Sequence, residues 1–222
     1  MKVSPYPPRR KGGPPLSSTY LLEILVRAII LVAVIPIHEC AHGLVASWMG
    51  DHTAQDLGRN TLNPFAHLDP FGSTMLLLTG LGWARPVPID PRNFRSPKWG
   101  MAATAPAGPA ANILLAWVVL AVYKIFAPWI WRSEPLTFIF AIIIQNTIYL
   151  AVFNLIPIPP LDGSRLLTAL LPDRLYYTVM RYERVIMAVL MLALFTGILN
   201  FPLRGITAGI LFVLDKLTFF LR

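Results

Sequence analysis

Long apolar runs dominate the pattern of this chain. A membrane-crossing helix needs about 20 mostly apolar residues, and the stretches 21–48, 100–131, 136–159 and 185–203 meet that need. A further stretch, 206–221, is interrupted by Asp215 and Lys216 and is marginal. The run 71–83 is too short to cross and reads as re-entrant or interfacial. Directly after it, Gly82-Trp-Ala-Arg-Pro-Val-Pro-Ile-Asp90 carries prolines at alternate positions, which forbid helix and favour an extended edge strand. The pattern predicts an all-α membrane protein. Its bundle has five to six transmembrane segments, with a small re-entrant or β element between the first two spans.

Composition excludes the soluble alternative. Of 222 residues, 55% are hydrophobic and 14% are charged, and the mean hydropathy is +0.60. An ordinary soluble domain carries about 25% charged residues. Residues 1–19 are rich in Pro, Gly and basic residues and read as a disordered tail. Residues 20–222 read as one domain, since no polar linker divides the apolar runs. The net charge of +8 sits in short loops between apolar stretches. That placement suits topology and anionic lipid head groups, and no basic run interleaved with aromatics points to nucleic acid. Arg59, Arg85, Arg92, Arg95 and Lys98 fall on the same side as Arg165, Arg174, Arg181 and Arg184, which marks that face as cytoplasmic. The basic tail pulls the other way. Cys40 is the only cysteine, so a metal must be held by His, Asp or Glu.

The candidate chemistry lies inside the first apolar run. Ile37-His-Glu-Cys-Ala-His-Gly43 contains H-E-x-x-H. Helix positions four apart differ by about 40° of rotation, so His38 and His42 share a face and can share a metal. Glu39, beside them, can reach the attacking water. This is the spacing zinc proteases use. Ionisable residues within a spanning segment are costly and are usually functional.

Two His leave zinc one protein ligand short. Asp162, in Phe153-Asn-Leu-Ile-Pro-Ile-Pro-Pro-Leu-Asp-Gly-Ser164, is the best third ligand because its apolar span ends on the same side as His42. Glu183 is the rival on that side, and would suit a different zinc-protease class. Asn154, in the same apolar span, can serve the substrate or oxyanion, or can act as interhelical glue. Ala102-Ala-Thr-Ala-Pro-Ala-Gly-Pro-Ala-Ala-Asn112 reads as ordinary close helix packing or as a tight seat beside the site. His52 and His67 read as structural, solvated loop residues. Cys40 points away from the His face and reads as a small packing residue.

Together these motifs resemble the site-2 protease family of intramembrane metalloproteases, in its short bacterial form. The residues that carry the likeness are His-Glu-Cys-Ala-His42, the Arg59–Gly72 segment, Gly82-Trp-Ala-Arg-Pro-Val-Pro-Ile, Ala107-Gly-Pro-Ala-Ala-Asn112 and Asn154 through Gly163. The resemblance implies one Zn2+ per chain held by His38, His42 and Asp162. It implies Glu39 as catalytic acid and base, and Asn154 as an aid to substrate or oxyanion. It implies a membrane-protein substrate cut in or near its transmembrane segment, in a bacterial cell membrane, with the site nearer the cytoplasmic side. The chain leaves no room for the PDZ or CBS domains of other members. Two alternatives stay open: a divalent-metal carrier using the same ligands, and a zinc protease with Glu183 as third ligand acting at the membrane face.

Overall fold

The computed structural model of the protein describes residues 16–80 and 82–221. The tail expected over residues 1–19 therefore lies outside the described residues, except for its last four, which open the first helix.

The first span is one continuous helix, Tyr20–Trp48, of 29 residues. It is built from α1 (Leu16–Ile29), a π-helical turn (Ile30–Val34) and α2 (Ile35–Trp48). Pro36 has no N–H to give and its ring crowds the preceding turn. The wider turn ahead of it, closed by the Ile35 N–H on the Ile30 carbonyl, lets the helix continue past the proline. The span then carries His38 and His42 toward its C-terminal end.

A single turn, α3 (Thr53–Asp56), leads to α4 (Pro70–Thr79). Asp69 caps α4 by accepting the Gly72 N–H at 2.7 Å, and Pro70 pre-sets its first turn. Gly80, at φ +80°, ends it in the left-handed conformation. Ten residues extend about 15 Å, too little to cross a bilayer. Helix α4 lies along α1, where Arg27 donates to the Leu77 and Leu78 carbonyls, each at 3.0 Å. A cation at a helix C-terminus is favourable there. The chain then doubles back so tightly that a Cβ on Gly72 would sit 2.4 Å from the Trp83 carbonyl oxygen. Residues 82–90 are extended but join no ladder, and there is no β-strand among the described residues. The expected edge strand is thus a lone extended segment.

Helices α5 (Pro97–Thr104) and α6 (Ala107–Ile125) form the second long helix, Pro97–Ile125. A turn, α7 (Ala127–Ile130), precedes α8 (Glu134–Asn154), which Ser133 caps at the Leu136 N–H. The apolar interior joins Ala116 and Leu120 of α6 with Ile144, Ile148 and Val152 of α8. Leu203 and Leu214 of the last helix complete it. Helices α9 (Asp162–Leu170) and α10 (Asp173–Arg181) lie at the end of the bundle where α2 and α8 finish. Lys98 ties α9 to α5 through the Leu171 carbonyl, at 2.9 Å.

The hydropathy pattern places a span at 185–203, but the chain breaks there. Helix α11 (Glu183–Phe195) and α12 (Asn200–Leu217) meet at 80°, with Gly197 at φ +73° in the break. Among the described residues, three helices are long and apolar enough to cross, or four if the bent pair is one crossing, against the five to six expected. Outward faces such as Leu114, Val118, Val122 and Ile125 on α6 stay exposed at helical spacing. Faces of this kind are a liability in water and at home in lipid. The protein is an all-α integral membrane protein.

Candidate active site

His38 and His42 lie one helical turn apart on α2 and are both buried. Asp162 is the first residue of α9, and its position depends on a close approach. A Cβ on the neighbouring Gly163 would fall 2.2 Å from the Leu155 carbonyl oxygen, so only glycine lets the turn after α8 fold onto this helix start. The three side chains converge. His42 Nε2 is 3.1 Å from His38 Nε2, and each of these nitrogens is 3.2 Å from Asp162 Oδ2.

That triangle fits a cation. Bonds of about 2.0–2.1 Å in a tetrahedral zinc site put neighbouring ligand atoms roughly 3.3 Å apart. Two imidazole nitrogens and one carboxylate oxygen are also the donor set of a catalytic zinc, which keeps a fourth position open. Among the described residues, His38, His42 and Asp162 are the group whose ligand atoms meet in this way. Glu183, the rival third ligand, begins α11 and is not part of it.

The backs of both imidazoles are engaged. His42 Nδ1 lies 2.9 Å from the Thr104 carbonyl, so Nδ1 carries the hydrogen and Nε2 keeps its lone pair. His38 Nδ1 lies 3.0 Å from the Asn112 side-chain nitrogen, while Asn112 Oδ1 is buried without a partner among the described residues. Rotating that amide by 180° resolves both problems. Its oxygen then accepts from Nδ1–H, and His38 Nε2 is freed toward Asp162. The sequence offered a signal for this residue, a buried amide in an alanine-rich helix, but not its partner.

The small-residue stretch is more than ordinary packing. A Cβ on Gly108 would lie 2.4 Å from His42 Nε2 and 2.6 Å from His38 Nε2. Helix α6 is therefore seated directly against the ligand atoms, at a distance only glycine allows.

Opposite this corner lies the extended segment. Glu39 Oε2 accepts the Val87 N–H at 2.8 Å. Arg59 donates to the Arg85 and Pro86 carbonyls at 3.2 and 3.0 Å. Burial and the neighbouring Arg85 charge weaken its hold on its proton, while the charge of Glu39 works the other way. Between segment and corner is a cavity of about 370 Å³, lined by Glu39, His42 and Asp162 on one side and by Val87, Ile89 and Met101 on another. Arg165, one turn beyond Asp162, also lines it.

The remaining candidates are placed as follows. Asn154 is the last residue of α8 and is outside the cavity lining. His67 is structural but not solvated, a correction to the loop reading. It is fully buried, its Nε2 is 2.8 Å from the Thr61 carbonyl, and its own carbonyl accepts from the Arg85 N–H. His52 is exposed beside Ser47 and Gln55. Cys40 donates to Asn60 Oδ1 at 3.1 Å.

Known proteins resemble this chain in sequence. A family model described as peptidase family M50 matches residues 129–197, a stretch that includes Asn154 and Asp162. A Bacillus subtilis protein named "Putative zinc metalloprotease YwhC" is 39% identical over 159 residues, covering 69% of this chain and 73% of that protein. A Mycolicibacterium smegmatis protein named "Putative zinc metalloprotease Rip2" is 29% identical over 134 residues, covering 57% of this chain and 50% of its own length. No solved structure matches the chain.

Proposed function

The chain belongs to the site-2 protease family, peptidase family M50, and from that premise we propose that it is an intramembrane zinc metalloprotease. It hydrolyses a peptide bond in or near the transmembrane segment of a membrane-protein substrate. The observation that carries this reading is the convergence of His38, His42 and Asp162 at 3.1–3.2 Å, with Glu39 lining the same cavity as His42 and Asp162.

His38, His42 and Asp162 would hold one zinc ion. When bound, zinc supplies Lewis-acid polarisation of the scissile carbonyl and lowers the pKa of water toward about 7. Glu39 takes the proton of the attacking water and passes it to the leaving amine. The Val87 N–H holds one oxygen of Glu39 and so aims the other. We assign Asn154 to the substrate or oxyanion. Its place at the end of the helix that leads to Asp162 supports this role, which requires the substrate to reach beyond the present cavity lining.

The site lies within the bilayer. His42 is six residues before Trp48, or about 9 Å along the helix. Basic loops at the same end of the bundle support a site nearer the cytoplasmic face of a bacterial cell membrane. A substrate helix hides its peptide bonds in its own hydrogen bonds, so it must unwind locally to be cut. The re-entrant stretch 71–83 and the extended segment after it supply an edge for the opened strand. Ile89 lines the cavity, and its N–H makes no hydrogen bond among the described residues. Residues two apart in an extended chain present the same edge, so this donor shares the edge of Val87. A metal carrier would leave Glu39 without a role, and family membership stands against it.

The test uses the purified full chain in phospholipid vesicles with a single-span Leu/Ala probe bearing a central Asn-Pro-Gly. Cleavage should fall when Pro and Gly are replaced by Leu, since Pro costs about 3 kcal/mol and Gly about 1 in a helix. Equal rates on both probes would contradict cleavage by local unwinding.

A further inference from the structure

Asp51 is a carboxylate with no part in the chemistry above, yet it is almost completely buried, at 1% exposure. Its backbone N–H donates to the Ala46 carbonyl at 2.9 Å, which fixes it to the last turn of the helix that carries His38 and His42. One carboxylate oxygen, Oδ1, accepts from the Thr53 N–H and hydroxyl and from the Asn93 amide at 2.8 Å. The other, Oδ2, accepts the Asp90 N–H at 2.8 Å. The two oxygens therefore act separately. Oδ1 organises its own loop, and Oδ2 holds the far end of the extended segment.

The segment is thus pinned at four places. The His67 carbonyl holds the Arg85 N–H, Arg59 holds the carbonyls of residues 85 and 86, Glu39 holds the Val87 N–H, and Asp51 holds the Asp90 N–H. Pro86 and Pro88 have no donors, so no ladder can set the segment's position along its own axis. Extended chain advances about 3.3 Å per residue, and a two-residue slip restores the same edge and face. Position along that axis decides which substrate bond lies opposite the metal corner. Glu39 ties the segment to the metal-bearing helix at Val87, and Asp51 adds a second tie three residues on, from α2 through Asp51 to Asp90.

We propose that Asp51 is a positioning residue that sets the register of cleavage, by locking the extended segment to the helix that holds the metal ligands. The inference rests on the segment being the substrate's edge, as in the proposed function.

The experiment maps cut sites by mass spectrometry, using the full chain in vesicles and the single-span Asn-Pro-Gly probe. The wild type should cut at one dominant bond. Asp51→Asn keeps Oδ1 and its three donors but turns an N–H toward the Asp90 N–H, so the cuts should spread to bonds about two residues away, with zinc content unchanged. Thr53→Ala removes the hydroxyl donor from the same carboxylate but spares the Asp90 hydrogen bond, and should retain the single cut. Should Asp51→Asn fail to fold, Asp90→Pro removes the same hydrogen bond from the other side and should spread the cuts in the same way. A merely structural Asp51 would lower the rate in both loop variants and leave the cut where it was, and that result overturns the proposal. A wild type that cuts no probe in the series overturns the underlying reading, and this inference with it.

Discussion

The two walls of the cavity are built by opposite means. The metal corner is all helix. Its donors come from α2 and α9, its seat from α6, and each imidazole is fixed from behind by a buried partner. The facing wall, residues 82–90, forms no ladder and is held mainly by side chains reaching from elsewhere, with one backbone hydrogen bond from the Arg85 N–H to the His67 carbonyl. In the proposed mechanism, the difference follows from what each wall must do. Metal ligands tolerate little displacement, and helices fix them well. A surface that must accept another chain has to leave backbone groups unpaired, which a helix cannot do.

The comparison breaks most completely at the corner. Asp162→Ala should reduce zinc from about one per chain to a small fraction, because two His alone make a weak site. Glu183→Ala should leave it at the wild-type value; elemental analysis of purified protein decides between them. Next in size is Gly108→Ala, whose new Cβ would lie 2.4 Å from His42 Nε2. Helix α6 must retreat or the ligands must move. Misplacements near 1 Å cost on the order of a hundredfold in rate, so cleavage should fall by about that much while the circular dichroism of the bundle persists. Asn112→Ala should weaken zinc binding by roughly 10- to 100-fold, the usual effect of removing a partner behind a ligating His; competition with a chelator measures it.

The smallest effect is on the other wall, and it depends on pH. Burial pushes the Asp51 carboxyl upward, but the Thr53, Asn93 and Asp90 donors outweigh burial and hold it below its ordinary value. A group lowered on folding contributes stability above its unfolded pKa of about 3.9, and that contribution is lost as pH falls through the folded value. Thermal unfolding of Asp51→Asn should therefore lie below that of the wild type by about 2–4 °C near neutral pH. The gap should close as pH drops below about 4. A gap that stayed constant through that range would show that the carboxylate charge is not what holds the loop.

Legibility in the sequence followed the same division. The corner was largely readable. Four-residue spacing brings His38 and His42 together on any helix, and an aspartate closing an apolar run on the same side leaves few rivals. Asn112 was read only as the end of the small-residue stretch, since its meeting with His38 joins residues 74 apart and depends on how α6 packs. The extended character of 82–90 was readable from its prolines. Its lack of strand partners was not, because pairing is a tertiary matter. The described helices give fewer spans than hydropathy suggests for a local reason. Hydropathy continues through residues 196–199, while Gly197 in the left-handed region turns the backbone. His67 was misread as solvated because a polar loop sequence does not reveal that the loop folds over its own histidine.

In the mechanism proposed for this chain, Glu39 handles the proton while His38, His42 and Asp162 hold the metal. Glu39→Gln separates the two roles, with zinc content and cleavage of the single-span probe measured on the same preparation. The expected result is about one zinc per chain, as in the wild type, with cleavage reduced at least about a hundredfold, since general acid–base catalysis contributes about 10²–10⁴. Loss of zinc together with activity, or cleavage that continues unchanged, would contradict that division of roles.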